Sequence, residues 1–518
     1  MVLVRRHPVQ FARQKLLCAK ADVTITWFQN ALCLVEEGGE LSARRLSIEI
    51  DGQTIRALHD PEAAPTPGCD VIDAAGLLAV PGLVNCHTHS PDNLARGTSP
   101  DLPLELWSLT SSAAREGRTS REIYVSTMLG AIEMMRSGTT SVLDHVKISP
   151  DIDLEALDAV ASAWADSGLR VTIAPIVADR PIIETMPFDV DDLKDLDLSG
   201  YGARMPMPAA EQIAVVEAFH QKWHGTGEGR LKVAIGPSGP QRCSDDLLVR
   251  AGDFSERHAT VLHTHVLETR LQREMGFRLN PRGMISHLGS LGLLNSRINL
   301  VHAIWLEEDD IERIAEAGAT VVHNPVSNAR LGSGFCPLPR LLAHGVRIGL
   351  GTDSAACNDG VNLLETVKWA AILHNLIDEN EANWVGPQRA LKLATSGGAD
   401  VLGLHNAGRL AAGMAADMVF FRLASPAFSP LNDPVRQLVL SETGSAIERV
   451  LVNGREVVRN DRSMLVEEAG IWAEAAEFAE RNRRDNQSAL AATHLLEAPI
   501  RKMRTRYGIN MHGGCSCH

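Results

Sequence analysis

Short apolar runs rich in β-branched residues alternate with amphipathic stretches through the middle of this chain. Eight runs are read as strands, at residues 80–84, 140–143, 169–176, 231–235, 260–263, 298–302, 320–323 and 346–351. Between them, apolar positions recur at helical spacing over 121–136, 153–167, 209–223, 244–257, 308–317 and 364–376. Strand and helix in alternation is what a parallel sheet demands, since the return path between parallel strands takes a crossover, usually a helix. Eight such units predict an α/β fold, a (β/α)8 TIM-like barrel over residues 81–405 with insertions. A doubly wound sheet would more often show a glycine-rich phosphate loop after its first strand, and none stands there.

The flanks follow a different grammar. Runs at 21–27 and 46–50 alternate apolar and polar positions and lead into an Asp51-Gly52 turn; the same pattern returns at 416–421 and 450–458, the latter broken by Asn453-Gly454. Neither flank has enough strands to bury a face alone, so residues 1–80 and 406–465 are expected to form one small β-sandwich domain from both chain ends. Residues 466–518 read as a helical extension and tail, suited to packing or subunit contact. The 178–207 stretch, with six aspartates, interrupts the rhythm after the third strand. A loop leaving a strand's C-terminal end is placed to act as lid or substrate wall, the plainer reading being a solvated insertion.

Composition narrows the partners. The formal charge of −14 over 518 residues disfavours a nucleic-acid partner, which needs clustered Lys and Arg. No apolar run reaches bilayer length, so no membrane partner is expected. The first twenty residues are basic (Arg5, Arg6, Arg13, Lys15) but lack the apolar core and cleavage site of a secretory signal. Nine scattered cysteines suit a reducing compartment, and a cytoplasmic location is expected. The tract at 512–518, with Cys515, Cys517 and His518, has the composition of a soft-metal binder. A small molecule is the expected partner.

The chemistry lies at the strand ends. His87 and His89 close the first run two residues apart, a spacing that puts both imidazoles on one face of a strand. His265 follows the fifth strand, His302 ends the sixth, and Asp353 follows the eighth in Gly351-Thr352-Asp353. In a barrel these positions share the C-terminal rim, where catalytic groups gather. A divalent ion such as zinc takes three or four nitrogen or oxygen ligands and keeps a position open for water; His87, His89, His265 and Asp353 supply that set. Iron(II) is the alternative that such ligands also suit. Glu268, three residues past His265, is the candidate general acid/base, and His302 is read as holding the attacking water rather than as a fifth ligand.

The ordered segments Pro81-Gly-Leu-Val-Asn-Cys-His87-Thr-His89, Arg136-Ser-Gly-Thr-Thr-Ser-Val, His263-Thr-His265-Val-Leu-Glu268 and Val301-His302-Ala belong together. So do His323-Asn-Pro-Val-Ser-Asn328-Ala-Arg-Leu-Gly-Ser-Gly334 and Gly351-Thr-Asp353-Ser-Ala-Ala-Cys357-Asn358-Asp-Gly-Val-Asn362-Leu-Leu. With them the chain, over residues 20–465, resembles the amidohydrolase superfamily in its one-metal branch of cytosine/guanine deaminases and triazine hydrolases. The resemblance implies one zinc or iron ion on His87, His89, His265 and Asp353, attack by metal-bound hydroxide, proton transfer by Glu268 and water steering by His302. The dinuclear branch uses a carboxylated lysine at the end of strand four, whereas Lys232 stands near its start. It further implies deamination of a guanine-like, pterin-like or s-triazine-like ring with release of ammonia, or else dechlorination or dealkylamination of an s-triazine, and a homo-oligomer, most simply a dimer. A catalytically dead scaffold barrel is the contrasting reading; all six roles being filled argues against it. Gln241, His323, Asn328, Cys357 and Trp107 are candidate substrate contacts, with Cys357 standing where close deaminases often carry Ser. His145 and Trp305 are weaker candidates, and His263 is read as a packed, hydrogen-bonded histidine.

Overall fold

One apolar run is divided between two sheets: Leu77–Pro81 pairs with Met418–Arg422, and Leu83–Thr88 begins the barrel. Gly82 is the joint. A Cβ there would lie 2.1 Å from Oγ1 of Thr140, so only glycine lets the two strands meet at this angle. The structure is a computed structural model describing residues 25–508 apart from 114, 116, 195 and 197–204. The Cys/His tail and the start of the expected 21–27 strand lie outside the described residues.

The barrel strands are Leu83–Thr88, Thr139–Val146, Arg170–Val177, Leu231–Val233 (continued by Gly236–Pro237), Leu262–Val266, Ile298–His302, Thr320–His323 and Arg347–Leu350. All pair in parallel, in two runs of four, and a bridge between Ile235 and Leu262 joins the runs. The seam closes where the Asp353 N–H donates to the His87 carbonyl at 2.9 Å. The crossover helices start with caps their sequence supplies: Thr119 and Glu122 form a capping box for Ser120–Arg136, and Asp153 caps Leu154–Ser167. Strand residues alternate between two cores. Ile298 and Leu300 face the helices, while Val301 joins Leu143, Ala174, Ala234 and Val322 in a separate cluster.

Both chain flanks build one hydrogen-bonded sheet of nine strands, eight in a continuous path and the ninth, Asp70–Asp73, paired off it with Thr26–Glu37. Five come from residues 26–81 and four from 418–463. Alternation again sorts the side chains: Leu77, Ala79, Met418 and Phe420 enter the sheet's own core, where Phe28 stacks on Phe420 at 4.4 Å, while Leu78, Val80, Val419 and Phe421 pack toward the barrel. Beyond it, Glu468–Asp485 lies along Ser120–Arg136 through Arg121–Glu474 and Arg481–Glu122 ion pairs. The last helix, Glu497–Arg506, packs Ile500 and Met503 against Leu106, Leu109 and Leu271.

Candidate active site

Four imidazoles and two carboxylates converge at the C-terminal ends of strands one, five, six and eight. Nε2 of His87 and Nε2 of His89 each lie 3.4 Å from Oδ1 of Asp353, and Nε2 of His265 lies 3.3 Å from Nε2 of His89. The first strand ends at Thr88, so His89 stands one residue beyond it, at the entry to the turn Ser90–Ala95, rather than on the strand face. His265 falls inside its strand, since that strand runs to Val266.

Each ring is turned by a fixed acceptor. Nδ1 of His89 donates to the His145 carbonyl and Nδ1 of His265 to the Ser238 carbonyl, both at 2.5 Å. Nδ1 of His87 meets Nε2 of His263 at 2.9 Å. With Nδ1 carrying the proton, each Nε2 presents a lone pair to the common centre, the arrangement seen around metal-ligating histidines. Burial pushes His87 down to about 4 and His265 well below the ordinary histidine range, so both are neutral at pH 7. Burial alone would raise Asp353, but the imidazoles of His87, His89 and His302 gathered around its carboxylate hold it well below the usual carboxylate range. Ser327 and the Ser354 N–H also donate to it, at 2.6 and 2.7 Å. Nε2 of His87 is buried without a hydrogen-bond partner, a costly arrangement that a cation at the centre relieves. The donor set therefore fits a divalent ion.

Beside this centre, Nε2 of His302 lies 3.7 Å from Oε2 of Glu268 and 3.9 Å from Oδ2 of Asp353. Nδ1 of His302 donates to Oδ1 of Asn328 at 2.8 Å, leaving Nε2 as the acceptor toward the cavity. The backbone is strained to achieve this: φ is 70° at His302 and 61° at Asp353. Burial pushes Glu268 up to about 7, the Asp353 charge adding to it while His302 and a 3.1 Å bond from Ser333 oppose it. Its carboxyl therefore changes protonation near neutrality.

A cavity of about 160 Å³ opens onto these groups. Gln241 and Trp107 line it, Trp107 being held by its indole N–H on the Ala356 carbonyl at 2.9 Å. His323, Asn328 and Cys357 are buried and do not line it. Asn328 instead orients His302, and the Cys357 thiol donates to the Ser354 carbonyl at 3.3 Å within an apolar cluster. His263 is packed and hydrogen-bonded to His87. Lys232 is likewise away from the cavity, near Arg170 at the opposite end of the strands. His145 carries more than its sequence position suggested: its carbonyl fixes His89, and its ring nitrogen joins the His87, His89 and His265 group. The signal was available, since His145 stands one residue before the end of strand two, on the same rim where His302 ends strand six. Thr185, Met186 and Pro187 of the 178–207 stretch stand on the cavity wall.

A closed parallel barrel with a histidine and aspartate centre on its C-terminal rim defines a metal-dependent hydrolase barrel. The chain belongs to the amidohydrolase family, which it matches over residues 78–457, and is a hydrolase of carbon–nitrogen bonds. It is 32% identical over 465 residues to a 5'-deoxyadenosine deaminase of Methanosarcina mazei, covering 89% of this chain and 98% of that one. It is 31% identical over 460 residues to a 5-methylthioadenosine/S-adenosylhomocysteine deaminase of Pelotomaculum thermopropionicum, covering 88% and 98%. Among solved structures it is similar to an atrazine chlorohydrolase of Arthrobacter aurescens TC1 complexed with zinc, with a TM-score of 0.79, 25% identity, and 88% and 100% of the two chains covered.

Proposed function

We propose that this chain is a divalent-metal aminohydrolase that releases ammonia from an amino-substituted nitrogen heterocycle, with the adenine ring of a 5'-substituted nucleoside as its ring. The observation that carries the reading is Glu268, buried, poised near neutrality and 3.7 Å from His302, beside three converging imidazoles and Asp353. His87, His89, His265 and Asp353 would hold one ion, zinc or iron(II). When bound, such an ion lowers the pKa of water toward about 7 and so makes a nucleophile available at neutral pH.

This chain's own residues do the rest. His302, fixed on Asn328, orients and accepts from the attacking water through Nε2. Glu268 moves two protons in turn, one from the attacking water to the ring nitrogen beside the attacked carbon, where it stays, and a second to the departing amine, which leaves as ammonia. Gln241 is placed to read a heterocycle edge, since its amide both donates and accepts and its Oε1 is buried without a partner.

Adenine replaces the guanine, pterin or s-triazine ring favoured from the motifs because relatives sharing about a third of the sequence over nearly full length are adenosine-type deaminases. A second reading, dechlorination or dealkylamination of an s-triazine, is favoured by the likeness to the atrazine chlorohydrolase. Attack and ring protonation are common to both; only the leaving group differs. The decisive experiment incubates zinc-loaded protein with 5'-deoxyadenosine, 5'-methylthioadenosine, guanine, pterin and chloro- and alkylamino-s-triazines, measuring ammonia, chloride and alkylamine. Ammonia from the adenosines is expected. Chloride or alkylamine from a triazine, with no ammonia from any ring, overturns the deaminase reading. A cytoplasmic homodimer is the proposed setting.

A further inference from the structure

Of the three basic side chains on the cavity wall, Arg115, Lys147 and Arg242, two have no carboxylate partner among the described residues. Arg115 is satisfied, its guanidinium forked onto both carboxylate oxygens of Asp92. Lys147 and Arg242 are not. Nζ of Lys147 donates to Oγ of Ser112 at 3.2 Å, and neither side chain has a carboxylate partner among the described residues. Nε of Arg242 is buried with no hydrogen bond at all. Burial and the nearby charges of Arg115 and Arg242 push Lys147 well below the ordinary lysine range, so its ammonium form calls for an anion beside it.

The two cations stand on the loops that build the centre. Lys147 is two residues past His145, whose carbonyl turns His89, and Arg242 is four past Ser238, whose carbonyl turns His265. Both therefore border the same cavity as the reacting groups without belonging to them. A guanidinium offers a planar fork and an ammonium a point charge, the combination that holds a carboxylate or a phosphate.

We infer that Lys147 and Arg242 form an anion subsite that binds a carboxylate or phosphate carried by the substrate outside its reacting ring. This rests on the proposed aminohydrolase reading and narrows its substrate to an anionic heterocycle. Nothing is transferred at this subsite; it holds and orients.

The test compares ammonia release from neutral 5'-deoxyadenosine, an adenosine bearing a 5'-carboxylate and one bearing a 5'-phosphate, using zinc-loaded protein. At least one anionic compound should exceed the neutral one in kcat/KM by about tenfold or more, mainly through KM, and which one does so identifies the anion. Lys147→Met and Arg242→Gln should each shrink that ratio, whereas Lys147→Arg, which keeps the charge, should retain it. In parallel, inorganic phosphate and acetate are titrated against thermal unfolding of the zinc-loaded wild type and the Lys147→Met/Arg242→Gln double variant. Stabilisation by either anion should appear in the wild type and vanish in the double variant. Equal kcat/KM for charged and neutral substrates, or ratios unmoved by the substitutions, overturns the subsite and leaves the deaminase reading intact. No ammonia from any compound, with anion stabilisation still lost in the double variant, overturns the deaminase reading and keeps the subsite.

Discussion

Arg504, on the last helix, forms a direct ion pair with Glu105 on the cavity wall, across 399 residues of sequence. The same helix sends Arg506 and Lys502 to Asp192 in the 178–207 stretch. The C-terminal extension thus ties together two of the segments that wall the cavity. Removing one partner leaves a buried charge without compensation. Arg504→Met is therefore expected to cost about 3 kcal/mol in chemical denaturation and to raise KM. Pairing it with Glu105→Gln should recover most of the stability. A single variant as stable as the wild type refutes the strap.

One divalent ion per chain is expected from elemental analysis, and the His87→Ala/His89→Ala variant should lose it. Two ions per chain, or an unchanged ion content in that variant, rules out the proposed ligand set.

Glu268→Gln should keep the ion and lose turnover by about 10²-fold or more, the scale of general acid/base catalysis. Near-wild-type turnover in that variant takes Glu268 out of the mechanism.

The same carboxyl predicts a pH effect on stability. Its folded pKa of about 7 lies above the ordinary 4.5, so the folded state favours the protonated form. The resulting stability is fully present below pH 4.5 and is lost as pH rises through 7, by about 3 kcal/mol. In chelator-treated protein, the wild type should lose stability relative to Glu268→Gln over that window. Parallel curves for the two proteins contradict the buried, raised carboxyl.

Sedimentation should show a dimer. Trp369, Ile372 and Leu376, the last 82% exposed, leave apolar surface along one helix and the turn after it. A monomer at micromolar concentration excludes the expected state.

The residues that project from barrel strand ends were legible because a strand's position on the rim follows from its place in the repeat. His87, His265, His302 and Asp353 meet for that reason. The Asn453-Gly454 hairpin was legible too, both residues adopting the positive φ (49° and 71°) that such a turn requires. What orients the rings was not. The carbonyls of His145, near the end of strand two, and Ser238, just past strand four, are chosen by no spacing rule, since any residue has a carbonyl. The division of the first apolar run at Gly82 was hidden because both halves are equally apolar; only the proximity of Thr140 requires the break. Helical periodicity gave the last helices but not their target, since an apolar stripe says nothing of which surface it meets.

The barrel seam runs through the centre itself. Asn85 donates to Oγ1 of Thr352 at 2.8 Å and Thr88 to the Asp353 carbonyl at 3.1 Å, contacts spanning 267 and 265 residues. Such long loops close last, because their entropy cost must be met before any contact rewards it. The ligands on the first and last strands are therefore strangers until every strand between them is in place. Ion uptake at the full set becomes a clock for the finished molecule, and a chain stalled with seven strands assembled carries three histidines without the aspartate that completes them.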